Sequence, residues 1–523
     1  MVRHRNINET SALAGMTRRQ LLERGAALGI ASALPFGAAK ADTPQQGGTL
    51  RLGLGGGATT DSLDPRSYTQ TVPRNIGQQI CNQLVEITSQ NKLIPELAES
   101  WEMKPGATEW VFNIRKNVQF HNGKTLDADD VIYSINLHRG EKSTSGAKSL
   151  FTDVREVKAD GPSQVRIILS SGNVDLPYLF ADYHMLIVPN GFTDFGKLIG
   201  TGGYVLQSFT PGVGAKALRN KNYWKTGRAH VDAVETTVIN DGMARFNALQ
   251  SDGIDVMNRL DRSLVAMLQG TAGIDVVRSA GGMHYTFAAS TKQQPTNSND
   301  VRLALKYAVD REQLIKVVFS GIGRLGNDHP IPDFDPFFNS DLPQRAHDPD
   351  KAKFYLKKAG LENLKLELYA SDAAFPEAID LATAYQAAAD KGGIMLDVKR
   401  SPTEGYWDNV WMKVPFCVDV WLSRPIDQML SIAYKSGAPW NETYWSNTTF
   451  DKLLVEARTL ADTAKRKELY GEMQRLIHEE GGSVIPVYAD FLDAKRSRVK
   501  GYETSPVSDL SGDRVSERVW LES

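Results

Sequence analysis

From about residue 300 the sequence alternates helical periodicity with short apolar strands, and that alternation confines the chain to α/β architectures. Residues 301–319 carry a strong amphipathic helical pattern, with Ser298, Asn299 or Asp300 placed to cap it. A second helix starts at Asp348-Pro349-Asp350 and stops at Gly360. Residues 364–369, 395–399 and 418–422 read as strands. Residues 450–479 form two helices broken near Asp462; Gly481-Gly482 ends the second, and 484–488 returns as a strand. Upstream, strands are expected at 49–54, 110–115, 165–169 and 205–209, and a helix at 79–84. Asp127 is placed to cap a helix that buries Val131, Ile132 and Ile135. At 523 residues the chain exceeds what one hydrophobic core supports, so two or more domains are expected.

The first residues read as an address. Arg18-Arg19 within Thr17-Arg18-Arg19-Gln20-Leu21-Leu22 is a twin-arginine pattern. A weakly apolar run, 25–39, follows; it is too short for a permanent membrane helix and ends in the small-x-small site Ala39-Lys40-Ala41. Residues 1–41 are therefore expected to be a twin-arginine-type signal peptide, with the mature chain starting near Asp42 in the periplasm. The whole chain has a formal charge of −2 and this leader carries +4, so the mature chain is near −6. That balance disfavours a nucleic-acid partner, which would need a basic face. The two cysteines, Cys81 and Cys417, are expected in a helix and a strand as buried free thiols, with a bridge between them as the alternative in an oxidising compartment.

Reactive motifs are not found. The sequence has no G-x-S-x-G elbow, no H-E-x-x-H and no phosphate-cradling G-x-x-x-x-G-K, and its nine histidines are scattered singly. Gly53-Leu54-Gly55-Gly56-Gly57-Ala58 superficially resembles a dinucleotide fingerprint, but Asp61-Ser62-Leu63-Asp64-Pro65 follows where a helix should begin. A tight turn leading into a cleft is expected there instead. Binding is favoured over catalysis, and no cofactor or metal is expected.

One stretch supports a family resemblance. Trp110-Val111-Phe112-Asn113-Ile114-Arg115-Lys116-Asn117-Val118-Gln119-Phe120-His121-Asn122-Gly123-Lys124 resembles the signature of family 5 extracellular solute-binding proteins, and Asp130-Val131-Ile132-Tyr133-Ser134 continues it. Further matching segments follow in order: Gly200-Thr201-Gly202-Gly203-Tyr204, Asp300 to Leu305 with Ala308-Val309-Asp310-Arg311, Asp348 to Ala352, and Ile485-Pro486-Val487-Tyr488. The resemblance implies a two-lobed α/β periplasmic-binding-protein fold, type II, with the extra subdomain of the peptide/nickel-binding group and a hinged cleft. Lobe I would run from 42 to 290 and return from 482 to 523, with the subdomain at about 90–198. Lobe II would span 291–481. The implied partners are a small-molecule ligand and an ABC permease with its ATPases, served by a monomer. The alternatives are a carrier of a nickel-type chelate, a sensor subunit, or a periplasmic hydrolase on the same fold.

The resemblance also implies ligand residues. Peptide binders similar to this chain carry an Asp three residues after a strand-ending Trp, where it pairs with the peptide amine. Here Trp421 is followed at that spacing by Arg424, which would reject an ammonium and accept a carboxylate, phosphate or sulfonate. Asp427 either takes over the amine, giving a site for an opine-like or other amino-acid-derived compound, or pairs with Arg424. Trp440 and Asn441 are candidates for an aromatic wall and an amide, or else pack beneath the following helix. Tyr68 lies where a cleft lip is expected, and His284 and Tyr285 near a crossover. Residues 327–330 either line the entrance or form a solvated loop.

Overall fold

The computed structural model describes residues 43–522 apart from 269, 403 and 404, so the leader pattern lies outside the described residues. Two large sheets organise the chain from Pro44 onward. The first runs Ile274–Ser279, Phe491–Arg496, Val256–Met257, Thr49–Leu54, Ala233–Val238, Gly214–Arg219, Tyr204–Thr210. The second runs Arg324–Leu325, Ser483–Tyr488, His284–Ala289, Phe416–Trp421, Leu364–Ala370, Ile394–Arg400. A four-stranded antiparallel sheet, built from residues between 98 and 169, has its own apolar core around Phe112 and Phe180. Leu50, Leu52 and Leu54 are all fully buried, as the alternation of Thr49–Leu54 requires. Leu364–Ala370 and Ile394–Arg400 are parallel, and the helix Ala378–Asp390 between them buries Leu381, Ala382 and Tyr385.

A single antiparallel ribbon joins the two large sheets. Ile274–Ser279 pairs with Phe491–Arg496 in the first, and His284–Ala289 with Ser483–Tyr488 in the second. The chain passes between sheets at 280–283 and 489–490, where the Ala489 N–H donates to the Met283 carbonyl at 2.7 Å. A Cβ on Gly281 would lie 2.6 Å from the Ala489 carbonyl, and one on Gly282 2.3 Å from Ser423 Oγ, so only glycine fits at this passage. Residues 284–289 and 483–488, expected in the first lobe, therefore belong to the six-stranded sheet, because ladder pairing fixes their place.

Two helix expectations change. The pattern over 301–319 is two helices, Asn299–Tyr307 and Arg311–Val318, because the Asp310 side chain accepts from the Gln313 N–H and starts a new helix. Both keep one apolar face, since Val301, Leu305 and Leu314 enter the same core. The helix expected at 79–84 is instead Thr71–Ile80, with Cys81 extended after it. There the Gly202 N–H donates to the Ile80 carbonyl at 2.8 Å. Cys81 and Cys417 are both buried and free.

Local chemistry explains the remaining landmarks. Asp127 caps Ala128–Leu137 in a reciprocal capping box with Asp130, and Lys124 Nζ reaches both carboxylates, at 3.0 and 2.5 Å. His121 Nε2 lies 3.0 Å from the Gly202 carbonyl, so the two motifs that first suggested the family meet. Asp328 pairs with Arg311 at 2.6 Å and Arg345 at 2.9 Å, both buried. The segment 327–329 is thus a buried ionic centre and neither an entrance nor a solvated loop. At the chain's end Arg514 pairs with Glu96, and Lys225 with Glu86, Glu96 and Glu517. Burial alone would raise the Glu517 carboxyl, but Lys225 and Arg514 hold it down at about 2.

The Gly200–Tyr204 turn offers a direct test. A Cβ on Gly202 would sit 2.5 Å from the Ile80 carbonyl carbon, with the end of a helix behind it. Gly202→Ala is expected to cost about 1–3 kcal/mol by overpacking. An unchanged midpoint in thermal unfolding would show that the turn and the helix end are not in contact.

Candidate functional site

Strand alternation sorts the residues at the end of Phe416–Trp421. In the register with His284–Ala289, Val420 lies opposite Tyr285 and Trp421 opposite His284. Val420 and Tyr285 line a cavity of about 650 Å³, whose walls come from residues of both large sheets and their loops. Trp421 and His284 face away and are buried, as successive side chains must. Tyr285 is stacked between Phe319 and Phe375, with ring centroids 5.2 and 3.8 Å away, and its hydroxyl lies 3.5 Å from Arg262. Burial pushes the Tyr285 hydroxyl up to about 12 and the His284 imidazole down to about 4.

After the strand, Leu422, Ser423, Arg424 and Pro425 form a loop that enters the cavity wall before the helix Ile426–Ala433 begins. The Arg424 guanidinium carbon lies 6.0 Å from the Trp421 ring and 5.7 Å from the Trp440 ring. Among the described residues no carboxylate lies within ion-pair distance of Arg424. Its field is still felt. Asp182, also in the wall, is held below the ordinary carboxylate range against its burial, chiefly by His184 and additionally by Arg424.

The other candidates divide. Asp427 neither faces the cavity nor pairs with Arg424, because the first helical turn rotates it away from the loop. It is 2% exposed, with Oδ1 3.2 Å from Arg458 Nε. Trp421 Nε1 donates to Glu442 at 3.0 Å, so this ring supports Arg424 from beneath. Trp440 is 37% exposed and borders a second cavity of about 740 Å³, beside Phe151 and Arg139. Asn441 is buried and donates to the Lys435 and Trp445 carbonyls, which makes it a loop clamp. Tyr68 is buried too, donating to the Leu63 carbonyl at 3.1 Å, and does not line the cavity.

The wall also contains groups that sequence reasoning passed over, notably Arg245, Arg259, Asp509 and Asp513. The glycine turn at 55–57 could have pointed to the first two, because both guanidiniums pack on it. Its amides are already taken: the Gly55 N–H donates to Asn258 Oδ1 at 2.8 Å and the Gly56 N–H to Asn240 Oδ1 at 3.0 Å. A phosphate cradle needs those amides free, which supports rejecting the nucleotide reading. Among the described residues no group of three His, Cys, Asp or Glu could hold a metal ion, and no helix is long and apolar enough to cross a membrane.

Burial raises the Asp427 carboxyl to about 7, against the pull of Arg458. The unfolded chain releases that proton near the ordinary value of 3.8 while the folded chain keeps it. Its contribution is therefore present at low pH and is lost as pH rises towards 7. Thermal unfolding of the wild type and Asp427→Asn at pH 5 and pH 8 should show the wild type losing ground to the variant at the higher pH. A constant difference would place the carboxyl in an unperturbed setting.

Comparison with known proteins adds to this geometry. The model of "Bacterial extracellular solute-binding proteins, family 5 Middle" matches residues 92–442. The Dipeptide-binding protein of Escherichia coli (strain K12) is 26% identical over 504 residues, covering 87% of this chain and 92% of its own. A periplasmic binding protein of Helicobacter pylori, DppA, solved with the peptide STSA, superposes with a TM-score of 0.77 at 23% identity over 92% of this chain and 99% of its own. AgaA from A. tumefacien R10, solved with agropinic acid, gives 0.77 at 24% identity over 91% and 99%. The shared fold is the two-lobed α/β fold of periplasmic binding proteins.

Proposed function

Because the chain belongs to the bacterial extracellular solute-binding proteins of family 5, we propose that it is the capture subunit of an ABC importer and that Arg424 anchors an anionic or zwitterionic, amino-acid-derived compound in its interlobe cleft. The observation that carries this reading is the position of Arg424: in the cavity wall, braced by two tryptophans, and with no carboxylate partner among the described residues. A charge enclosed without a counter-ion is costly, and a ligand carboxylate removes that cost with two parallel hydrogen bonds. The same charge repels an ammonium, so an ordinary peptide is not held here by its free amine.

The strand order of the two large sheets supports the following division into lobes. Residues 44–280 and 490–522 form the first, 283–488 the second, and the four-stranded sheet is the extra subdomain of the first. The two passages at 280–283 and 489–490 serve as the hinge about which the lobes close on ligand. Family members are extracellular solute-binding proteins rather than enzymes. The twin-arginine pattern at Arg18-Arg19 supports a periplasmic location, and on this reading the chain works there as a monomer with a membrane permease.

A thermal-shift screen tests the reading. Its panel holds unmodified dipeptides, opines, acidic amino-acid conjugates and nickel chelates. A ligand at about a hundred times its dissociation constant adds about 2.7 kcal/mol, a shift of a few degrees. Anionic or zwitterionic compounds should stabilise the protein. Arg424→Asp should weaken their binding by about thirtyfold or more in calorimetry, with the unliganded midpoint unchanged. Equal stabilisation of the wild type and Arg424→Asp by plain dipeptides would make this a conventional peptide carrier and remove Arg424 from the site.

A further inference from the structure

We propose that Arg259 is a second anion anchor, so that the ligand carries two acidic groups, one held from each large sheet; this rests on the reading of Arg424 above. Arg259 follows the strand Val256–Met257 of the seven-stranded sheet, lines the same cavity and is exposed. Its backbone sits at φ +50°, a left-handed conformation that costs a non-glycine residue energy and that clusters at ligand clamps. The conformation is held from two sides. Arg245 Nη2 donates to the Arg259 carbonyl at 3.2 Å, and Arg259 Nη2 donates to Thr71 Oγ1 at 2.8 Å. The guanidinium also lies against the glycine turn, where a Cβ on Gly56 would be 3.0 Å from Nη1. The side chain is therefore positioned before any ligand arrives, which lowers the entropy cost of binding.

The charges in the wall show why this group is available. Arg74, Arg262 and Arg514 also line the cavity, and each is neutralised, by Asp513 at 3.5 Å, Glu377 at 2.5 Å and Glu96 at 2.8 Å. The other wall carboxylates are engaged elsewhere. Asp490 pairs with Arg278 and Arg324, and Asp182 with His184. Asp509 accepts from Asn258 and Ser508, and Asp261 accepts from Ser263. Among the described residues no carboxylate lies within ion-pair distance of Arg259 or Arg424. The same wall also carries apolar side chains, Leu422 (41% exposed), Val420, Met283 and Phe375. That pattern suits a compound whose two acidic ends flank a less polar middle.

The test uses matched probes in thermal shift and calorimetry: glutathione, N-acetylglutamate and an opine with two carboxylates, each beside the form in which one carboxylate is amidated. At least one diacid is expected to bind about tenfold or more tightly than its monoamide. Arg259→Gln should abolish that preference, bringing the diacid down to the monoamide's affinity, whereas Arg424→Gln should weaken both forms. Unchanged unliganded midpoints establish that both variants are folded. A diacid preference that survives Arg259→Gln but is lost in Arg424→Gln overturns the second anchor and leaves the first. A preference unaffected by either variant overturns both. No stabilisation by any diacid also overturns the second anchor.

Discussion

The ribbon formed by residues 274–289 and 483–496 is the constraint on which the rest of the molecule depends. Two stretches of chain, hydrogen-bonded to each other in both large sheets, are the only covalent links between those sheets among the described residues. Away from the ribbon, the Val174 N–H donates to the Arg458 carbonyl at 2.8 Å, and ion pairs add further contacts. The glycines at 281 and 282 let the strands pass at close range, and Ser423 packs directly on the second of them. The loop that presents Arg424 is thereby set beside the passage itself, so the position of the anchor and the geometry of the link are one problem.

Charge in this protein is mostly spent on structure. Arg514, Lys225 and their glutamates secure the end of the chain, and Arg311, Arg345 and Asp328 fill a buried centre in the second sheet's lobe. Arg466 with Asp175, and Arg458 with Asp153 and Asp427, join the subdomain to helices of the other lobe. Removing one member of such a buried pair strands the other. Against that background, guanidiniums that line a cavity and lack a carboxylate partner stand out as groups held ready for something the chain does not supply.

Sequence reasoning succeeded where the determining chemistry was local. The strand Thr49–Leu54, the cap at Asp127, the helix start at Asp348 and the break near Asp462 follow from neighbouring residues alone. The place of Arg424 in the cavity wall was legible because its distance from Trp421 is counted along one loop. Asp427 was not, since three residues later a helix has begun and turned it onto Arg458. Asn441 and Tyr68 were misjudged for another reason: their polar tips are satisfied by backbone carbonyls that only the folded loops bring near. Arg259 escaped notice because its neighbours, Gly56 and Thr71, lie about two hundred residues away in the chain. The passage between sheets was displaced by a few residues for the same reason, as it is set by long-range ladder pairing.

Cys81 and Cys417 lie in separate apolar clusters, one beneath the first sheet and one beside the second, and burial pushes both thiols up. Neither forms a cross-link. A body held together by packing and ion pairs alone owes nothing to the redox poise of its surroundings. It can reach its final shape among reduced thiols as completely as among oxidised ones.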